Sequence, residues 1–399
     1  MAQRVLLVNK FYYPRGGDCV VTLNTERLLR AHGIDVGVYA MQYPRNVESQ
    51  FSRYFASEIT LDGGLGAKLK ALKRIMGLGD IKRSTARMLD EFKPDVVHLH
   101  NVHSYLSPVV AEMAHSRGIK VVWTLHDYKL LCPAYTCLRE GKPCEQCFGA
   151  SKHPVVEHRC MKHSAAASVV AWAEAKRWSR AVLEKCVDAW ICPSQFMARK
   201  MEQGGFDSHK LKVLCNFVDP FKLEQFKAQH EQPRDDFYCY VGRLSAEKGV
   251  STLLQAAALM RREVLVAGSG PLCDELQRDF SSFPNIHFLG QLDAQGVSDL
   301  LGRARFSVVP SEWYENNPLS VIESRCSGTP VVGSHIGGIP ELIDDGCGLT
   351  YPWGDAKALC DAMRQAWNTR WDHDAIKHTA IERFSPEAHY AQLQAIYDS

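Results

Sequence analysis

Short apolar runs return along the whole chain, each followed by a longer amphipathic stretch. A run that brief and apolar suits a strand buried on both faces, and its alternation with helical segments predicts parallel sheets covered by helices. Candidate strands lie at 4–8, 35–39, 95–99, 120–125 and 189–193, and a second series at 237–241, 264–267, 286–289, 306–309 and 330–333. Between the series sit Asn216 to Pro220 and a polar stretch, 222–236, which reads as a hinge. A chain of 399 residues exceeds what one core usually organises. Two doubly wound α/β domains are therefore expected, at 1–218 and 219–382, with a terminal helix at 383–399 packing back on the first. Such domains bind ligands beyond the carboxyl ends of their strands, which would put the functional cleft between them.

Composition narrows the class. The formal charge is only +2, so no nucleic-acid partner is expected. Val5 to Val8 follow Met-Ala-Gln-Arg without the long apolar core of a signal peptide, and no window reaches a membrane span, so the expected location is the cytoplasm. One segment is locally basic. From Leu65 to Arg87 the chain carries Lys68, Lys70, Lys73, Arg74, Lys82, Arg83 and Arg87 against Asp80 alone, with Leu65, Leu69, Leu72 and Met76 at helical spacing. That pattern suits either an anionic membrane surface or a solvated helix packed on its own domain.

The second half carries most of the legible chemistry. Tyr314 to Glu323 sets two carboxylates eight residues apart, Glu315 in a loop after a strand and Glu323 in a helix with Pro318 in its first turn. A carboxylate accepts two hydrogen bonds, so one acid can hold vicinal ribose hydroxyls and the other hexose hydroxyls; alone, the pair would read as a helix cap and a solvated acid. Gly242 to Gly249 places Arg243 and Lys248 in a turn before a helix, where two cations can offset a diphosphate, although a surface turn with incidental charges looks the same in isolation. Gly268-Ser269-Gly270-Pro271 allows close approach by a base or backbone, and Gly337 to Glu341 can present N–H groups to anionic oxygen.

Together with Gly16-Gly17 after the first strand and His126 after the strand at 120–125, these segments resemble the retaining family 4 glycosyltransferases, whose GT-B fold pairs two Rossmann-like domains. The resemblance spans nearly the entire chain. It implies that Arg243 and Lys248 bind the donor diphosphate, Glu323 the ribose and Glu315 the transferred sugar. Gly16, Gly17, Gly242, Gly268 and Gly270 would line the donor site with Asn316, Asn317, Pro318 and Leu319. Many members have Gly-Phe-Gly after the first Glu; here Asn316-Asn317-Pro318 stands there, and proline has no N–H to give. His126 would hydrogen-bond the donor sugar near its reacting carbon, while as a lone histidine it would read as a packed core or rim residue. His100, Asn101 and His103 are candidate acceptor-side groups or polar packing at a sheet edge.

Cysteine is concentrated. Five of fourteen, Cys132, Cys137, Cys144, Cys147 and Cys160, fall within 29 residues, in a segment read as an insertion at 132–160. Cys144 and Cys147 have metal-ligand spacing, and Cys137 and Cys160 complete a candidate structural zinc site, against alternatives of free thiols or an iron–sulfur cluster. No catalytic metal is expected, since Arg243 and Lys248 already supply positive charge. The sequence thus predicts transfer from a UDP- or GDP-linked sugar to a glycan or lipid-linked acceptor in bacterial envelope polysaccharide or lipopolysaccharide synthesis, in the cytoplasm or peripherally on the inner face of the plasma membrane. A nucleotide-sugar epimerase, a phosphorylase and a non-catalytic sugar-nucleotide binder are the alternatives.

Overall fold

In the computed structural model, residues 3–60, 63–228, 233–344 and 346–399 are described. The chain forms two compact units, one of Met1–Arg139, Cys144–Cys215 and Tyr390–Ser399, the other of Glu140–Pro143 and Asn216–His389.

The first unit is built on β1 (Arg4–Val8), β2 (Asp35–Tyr39), β3 (Val96–Leu99), β4 (Lys120–Thr124), β5 (Ala189–Cys192) and β6 (Leu211–Val213). They pair in the order β2-β1-β3-β4-β5-β6, every pair parallel. Val5 to Val8 are all at most 1% exposed, as a strand covered on both faces must be. Helix α1 (Gly17–Ala31) follows β1 and buries Val21, Leu28 and Leu29.

Helices α2 (Leu65–Ile75) and α3 (Asp80–Phe92) carry the basic stretch. Arg74 does not belong to its charged surface: it is 1% exposed and pairs with Asp80 at 2.6 Å. Burying a guanidinium requires such a partner. Leu65, Leu69 and Leu72, by contrast, are 89%, 55% and 39% exposed. No helix among the described residues is long and apolar enough to cross a membrane.

The second unit holds β7 (Phe237–Val241), β8 (Glu263–Ala267), β9 (Ile286–Gly290), β10 (Ser307–Val309), β11 (Val331–Ser334) and β12 (Gly348–Tyr351). Their order is β9-β8-β7-β10-β11-β12, again all parallel. Helix α4 (Val250–Met260) packs Leu253, Leu254 and Ala257 into the core of this sheet with Tyr238, Val264 and Phe306. Helix α5 (Leu319–Cys326) starts at Pro318 and stops before Gly328 at φ +72°. A last helix, α6 (Pro386–Asp398), sends Leu393, Ile396 and Tyr397 into the first unit's core beside Val5, Leu7 and Val96.

Strand order reverses between β1 and β3 in the first sheet and between β7 and β10 in the second. At each reversal the flanking loops diverge at the strands' carboxyl ends and leave a crevice.

Candidate functional site

In the second unit the loops after β7 and β10 meet at the reversal. Glu315, 7% exposed, accepts hydrogen bonds at Oε1 from Lys248 Nζ at 2.5 Å and Ser311 Oγ at 2.7 Å. Burial alone would raise its pKa, but the Lys248 charge and its hydrogen bond, with further bonds from Trp313 and Ser311, hold the carboxyl below the usual range. Glu315 is thus a buried carboxylate, ionised at neutral pH. Arg243 lies exposed in the loop after β7, with no ion-pair partner among the described residues.

The glycines of this region keep protein backbones together. Gly268, at φ +139°, would bring a Cβ within 1.8 Å of Gly242 O, and a Cβ on Gly270 would meet Leu244 O at 2.2 Å. Of the two close approaches expected here, by a base or by backbone, the backbone one is present: the loop after β7 hydrogen-bonds back through Leu244 N to Ser269 O at 3.0 Å. Gly338 N donates to Glu315 O at 2.7 Å, so the second glycine pair anchors the backbone of the first acid.

Eight residues on, Glu323 lies on α5 and accepts a hydrogen bond from Lys222 Nζ at 2.6 Å. Both side chains keep partial exposure, 15% and 25%. Asn317 is buried: its Oδ1 accepts from Asn216 N at 3.0 Å and its carbonyl from Asn216 Nδ2 at 2.9 Å. It therefore shapes the loop that Pro318 closes.

In the first unit, Gly16 and Gly17 are exposed and open α1, and a Cβ on Gly17 would meet nothing within 4 Å. The start of a helix can offer backbone N–H groups to an anion or a hydroxyl. His126 stands half-buried just past β4, its Nε2 2.9 Å from His100 Nδ1. Burial lowers its pKa further than Asp18 and Asp127 raise it, so the ring is neutral at pH 7. Asn101 N donates to Asn9 Oδ1 at 3.0 Å, fixing the loops after β1 and β3 together at the reversal. His103 turns instead onto Trp123, ring centroids 5.2 Å apart, and lines a cavity of about 320 Å³ with Lys129, Glu174 and Trp178. Burial drives its pKa down to about 4.

Known proteins are similar to this chain. Residues 15–221 match Glycosyltransferase Family 4, and residues 236–369 match Glycosyl transferases group 1. The chain belongs to glycosyltransferase family 4. Its relatives include O-antigen chain mannosyltransferase C of Escherichia coli, 30% identical over 181 residues covering 42% of this chain and 49% of that protein. D-rhamnosyltransferase WbpZ of Pseudomonas aeruginosa is 30% identical over 162 residues, 39% of this chain and 41% of the relative. The chain thus spans about half or less of these curated relatives. Among solved structures, sucrose-phosphate synthase from Thermosynechococcus elongatus superposes with a TM-score of 0.71 at 20% identity, covering 99% of this chain and 98% of its own. Anabaena HepE in complex with UDP-glucose gives 0.63 at 17%, covering 99% and 100%. These likenesses establish the GT-B fold.

Within this family 4 chain, the structure joins Glu315 to Lys248 and His126 to His100, and gives Glu323 a partner, Lys222, that the sequence reading missed. Lys222 sits in the helix Pro220–Ala228, inside the stretch read as a hinge, where only Pro220 at the helix start signals order. The cysteine segment departs from expectation as well. Among the described residues no group of three or more His, Cys, Asp or Glu side chains is arranged to hold a metal ion. Cys137 and Cys147 are buried and Cys144 and Cys160 half-buried, while the thiol partner of Cys137 is Cys132, which the zinc set had left in reserve. Cys137, at φ +51°, turns the chain back so that its carbonyl accepts from Cys144 N at 2.7 Å. The Cys-x-x-Cys spacing of Cys144 and Cys147 is thus not accompanied by a metal-holding group among the described residues.

Proposed function

We propose that this chain transfers a hexose, with retention at the anomeric carbon, from a UDP- or GDP-linked donor to a glycan or lipid-linked acceptor of a bacterial envelope polysaccharide. The observation that carries this reading is the Glu315 carboxylate, ionised and fixed by Lys248 and Ser311 at the carboxyl end of β10. A fixed carboxylate orients sugar hydroxyls. Its Oε1 already accepts two strong hydrogen bonds, which makes it a poor nucleophile and favours front-face displacement, the departing diphosphate taking the acceptor proton.

Arg243 supplies an unpaired guanidinium for bidentate contact with phosphate, and Lys248 keeps N–H donors beyond the one given to Glu315. Charge that grows on the leaving diphosphate then meets two cations set in advance. Glu323 would exchange Lys222 for ribose hydroxyls. An O-antigen mannosyltransferase among the relatives supports an envelope glycan as acceptor.

The proposal extends to the location of the reaction, the inner face of the plasma membrane. Leu65, Leu69 and Leu72 project from α2 amid exposed Lys68, Lys73, Lys82, Arg83 and Arg87, a pattern that suits anionic lipid. Thermal unfolding of the purified protein against a panel of UDP- and GDP-sugars tests the donor, because a bound ligand raises stability with log concentration. The anomeric coupling of the product, read by NMR, tests retention. Failure of every nucleotide sugar to stabilise the protein, or an inverted product, would overturn the reading.

A further inference from the structure

Four aromatic rings and three cations meet beyond the carboxyl ends of β1, β2 and β3 in the first unit. Tyr13 and Tyr43 are stacked, centroids 5.3 Å apart and planes 7° from parallel, while Phe11 packs on Tyr13, Tyr43 and Tyr105 at 5.7, 5.5 and 5.4 Å. The guanidinium carbon of Arg15 lies 4.2 Å from the Phe11 centroid and that of Arg45 lies 5.0 Å from the Tyr13 centroid. Lys10 Nζ is 6.0 Å from Phe11 and 5.8 Å from Tyr105. None of these cations has a carboxylate partner among the described residues, and both arginines are exposed. The loops that carry them are tied together: Tyr12 N donates to Asn46 Oδ1 at 3.2 Å, Val47 N to Tyr12 O at 2.8 Å and Met41 N to Lys10 O at 3.2 Å. Tyr43 also lines an open groove of about 810 Å³ with Gln42, Gln50 and Ser52, whose side chains have no hydrogen-bond partner among the described residues. Glu48 is the sole acid lining it, and Arg53, on the same wall, reaches Glu91 at 3.8 Å.

A cation held over an aromatic face spends no hydrogen bond on that contact, so its N–H groups stay available to an anion. Like charges gathered without acids also repel one another, a cost that a bound anion removes. We propose that this face of the first unit binds an anionic saccharide, its phosphate or carboxylate held by Lys10, Arg15 and Arg45 and its sugar rings running past Tyr43 into the groove. A tyrosine face suits the apolar C–H side of a pyranose, and the amides of Gln42 and Gln50 both donate and accept, as a row of sugar hydroxyls requires. The saccharide class rests on the proposed function, in which the acceptor is a glycan or lipid-linked sugar. The anion rests on the first unit alone.

Titration calorimetry without nucleotide tests this, and its outcome does not depend on whether any UDP- or GDP-sugar stabilises the protein. The probes are mannose 6-phosphate for phosphate, a hyaluronan tetrasaccharide for carboxylate, maltotetraose as a neutral saccharide and inorganic phosphate as a bare anion. At least one of the two acidic saccharides is expected to bind about tenfold or more tighter than maltotetraose, and which one does so names the anion. Arg15→Gln combined with Arg45→Gln should lower that affinity about tenfold or more, as loss of charge-assisted hydrogen bonds predicts. Tyr43→Leu should weaken the saccharide and leave inorganic phosphate unchanged; should that variant fail to fold, Gln42→Ala with Gln50→Ala, both exposed, takes its place. Lys68→Gln with Lys73→Gln, on α2, should keep wild-type affinity. Equal binding of neutral and acidic saccharides, an undiminished affinity in the double arginine variant, or an equal loss in the α2 variant would overturn the proposal. So would inorganic phosphate binding as tightly as either acidic saccharide, since the sugar would then contribute nothing.

Discussion

Lys248 Nζ lies 2.5 Å from Glu315 Oε1 across 67 residues of sequence, joining the loop after β7 to the loop after β10. The cation assigned to a phosphate and the acid assigned to a sugar are thus one ion pair before any ligand arrives. Removing either charge strands the other, so both positions are expected to affect stability.

Lys248→Met is expected to cost about 2 kcal/mol, below the usual figure for a buried pair because the lysine keeps 27% of its side-chain exposure. Adding Glu315→Gln should recover most of that loss, since no charge is then left unpaired. Urea unfolding of the two single variants and the double variant measures the coupling, and simple additivity would deny that the pair acts as a unit.

The pair also makes a pH signature. Glu315 has its pKa lowered by folding, so its contribution to stability is complete above the unfolded value of about 4.3 and disappears as pH falls through the lower folded value. The stability gap between wild type and Glu315→Gln should be flat from pH 7 to about pH 5 and shrink below that. A gap that widens on acidification would mean that the carboxyl is protonated in the fold.

Glu323→Ala should weaken nucleotide binding by about tenfold or more, as loss of a charge-assisted hydrogen bond predicts. It should also raise the donor KM and leave kcat nearly unchanged, because ribose contacts persist from ground state to transition state. Calorimetry with free nucleotide that finds wild-type affinity would remove Glu323 from the ribose.

Replacing Leu65, Leu69 and Leu72 together with Ser should release the protein from vesicles containing phosphatidylglycerol in a sedimentation assay, while its melting temperature holds, since these leucines are exposed at 89%, 55% and 39%. Neutral phosphatidylcholine vesicles should bind neither form. Equal binding of the variant and the wild type would leave this face without a membrane role.

Gly268→Ala is expected to be more damaging than any of these surface changes. Its Cβ would overlap Gly242 O at 1.8 Å, and φ +139° is strained for any side chain. Failure to accumulate as folded protein, or a melting temperature lowered by several degrees, is the expected result; a neutral effect would mean that the two loops are less tightly knit than the structure indicates.

The fold was legible wherever strands are buried on both faces. The candidate strands at 35–39 and 237–241 end where β2 and β7 end, since Val36 to Tyr39 and Phe237 to Tyr240 form unbroken apolar runs. Leu211–Val213 and Gly348–Tyr351 were missed because they lie at sheet edges and are brief, and the first is only half-buried, which leaves neither periodicity nor a long apolar run to detect. The same limit applies to the site. Glu315, Glu323, Arg243 and Lys248 stand out by type and spacing, whereas Lys222 and His100 take their roles from partners 101 and 26 residues away. Basic spacing in α2 likewise overcounted by Arg74, because helical periodicity does not reveal that Asp80 folds back to receive it.

The hydrogen bond between His98 and Tyr397 closes a loop of 299 residues. A nascent chain emerging from the ribosome can pair β1 with β2 and β3 early, yet the apolar face around Val5, Leu7 and Val96 stays uncovered until α6 has been made. Synthesis of the whole second unit falls within that interval. The first sheet therefore spends most of translation as an unfinished, sticky surface, and the last turn of α6 works as a latch. Shortening it should trade soluble protein for aggregate even though every strand of both sheets is intact.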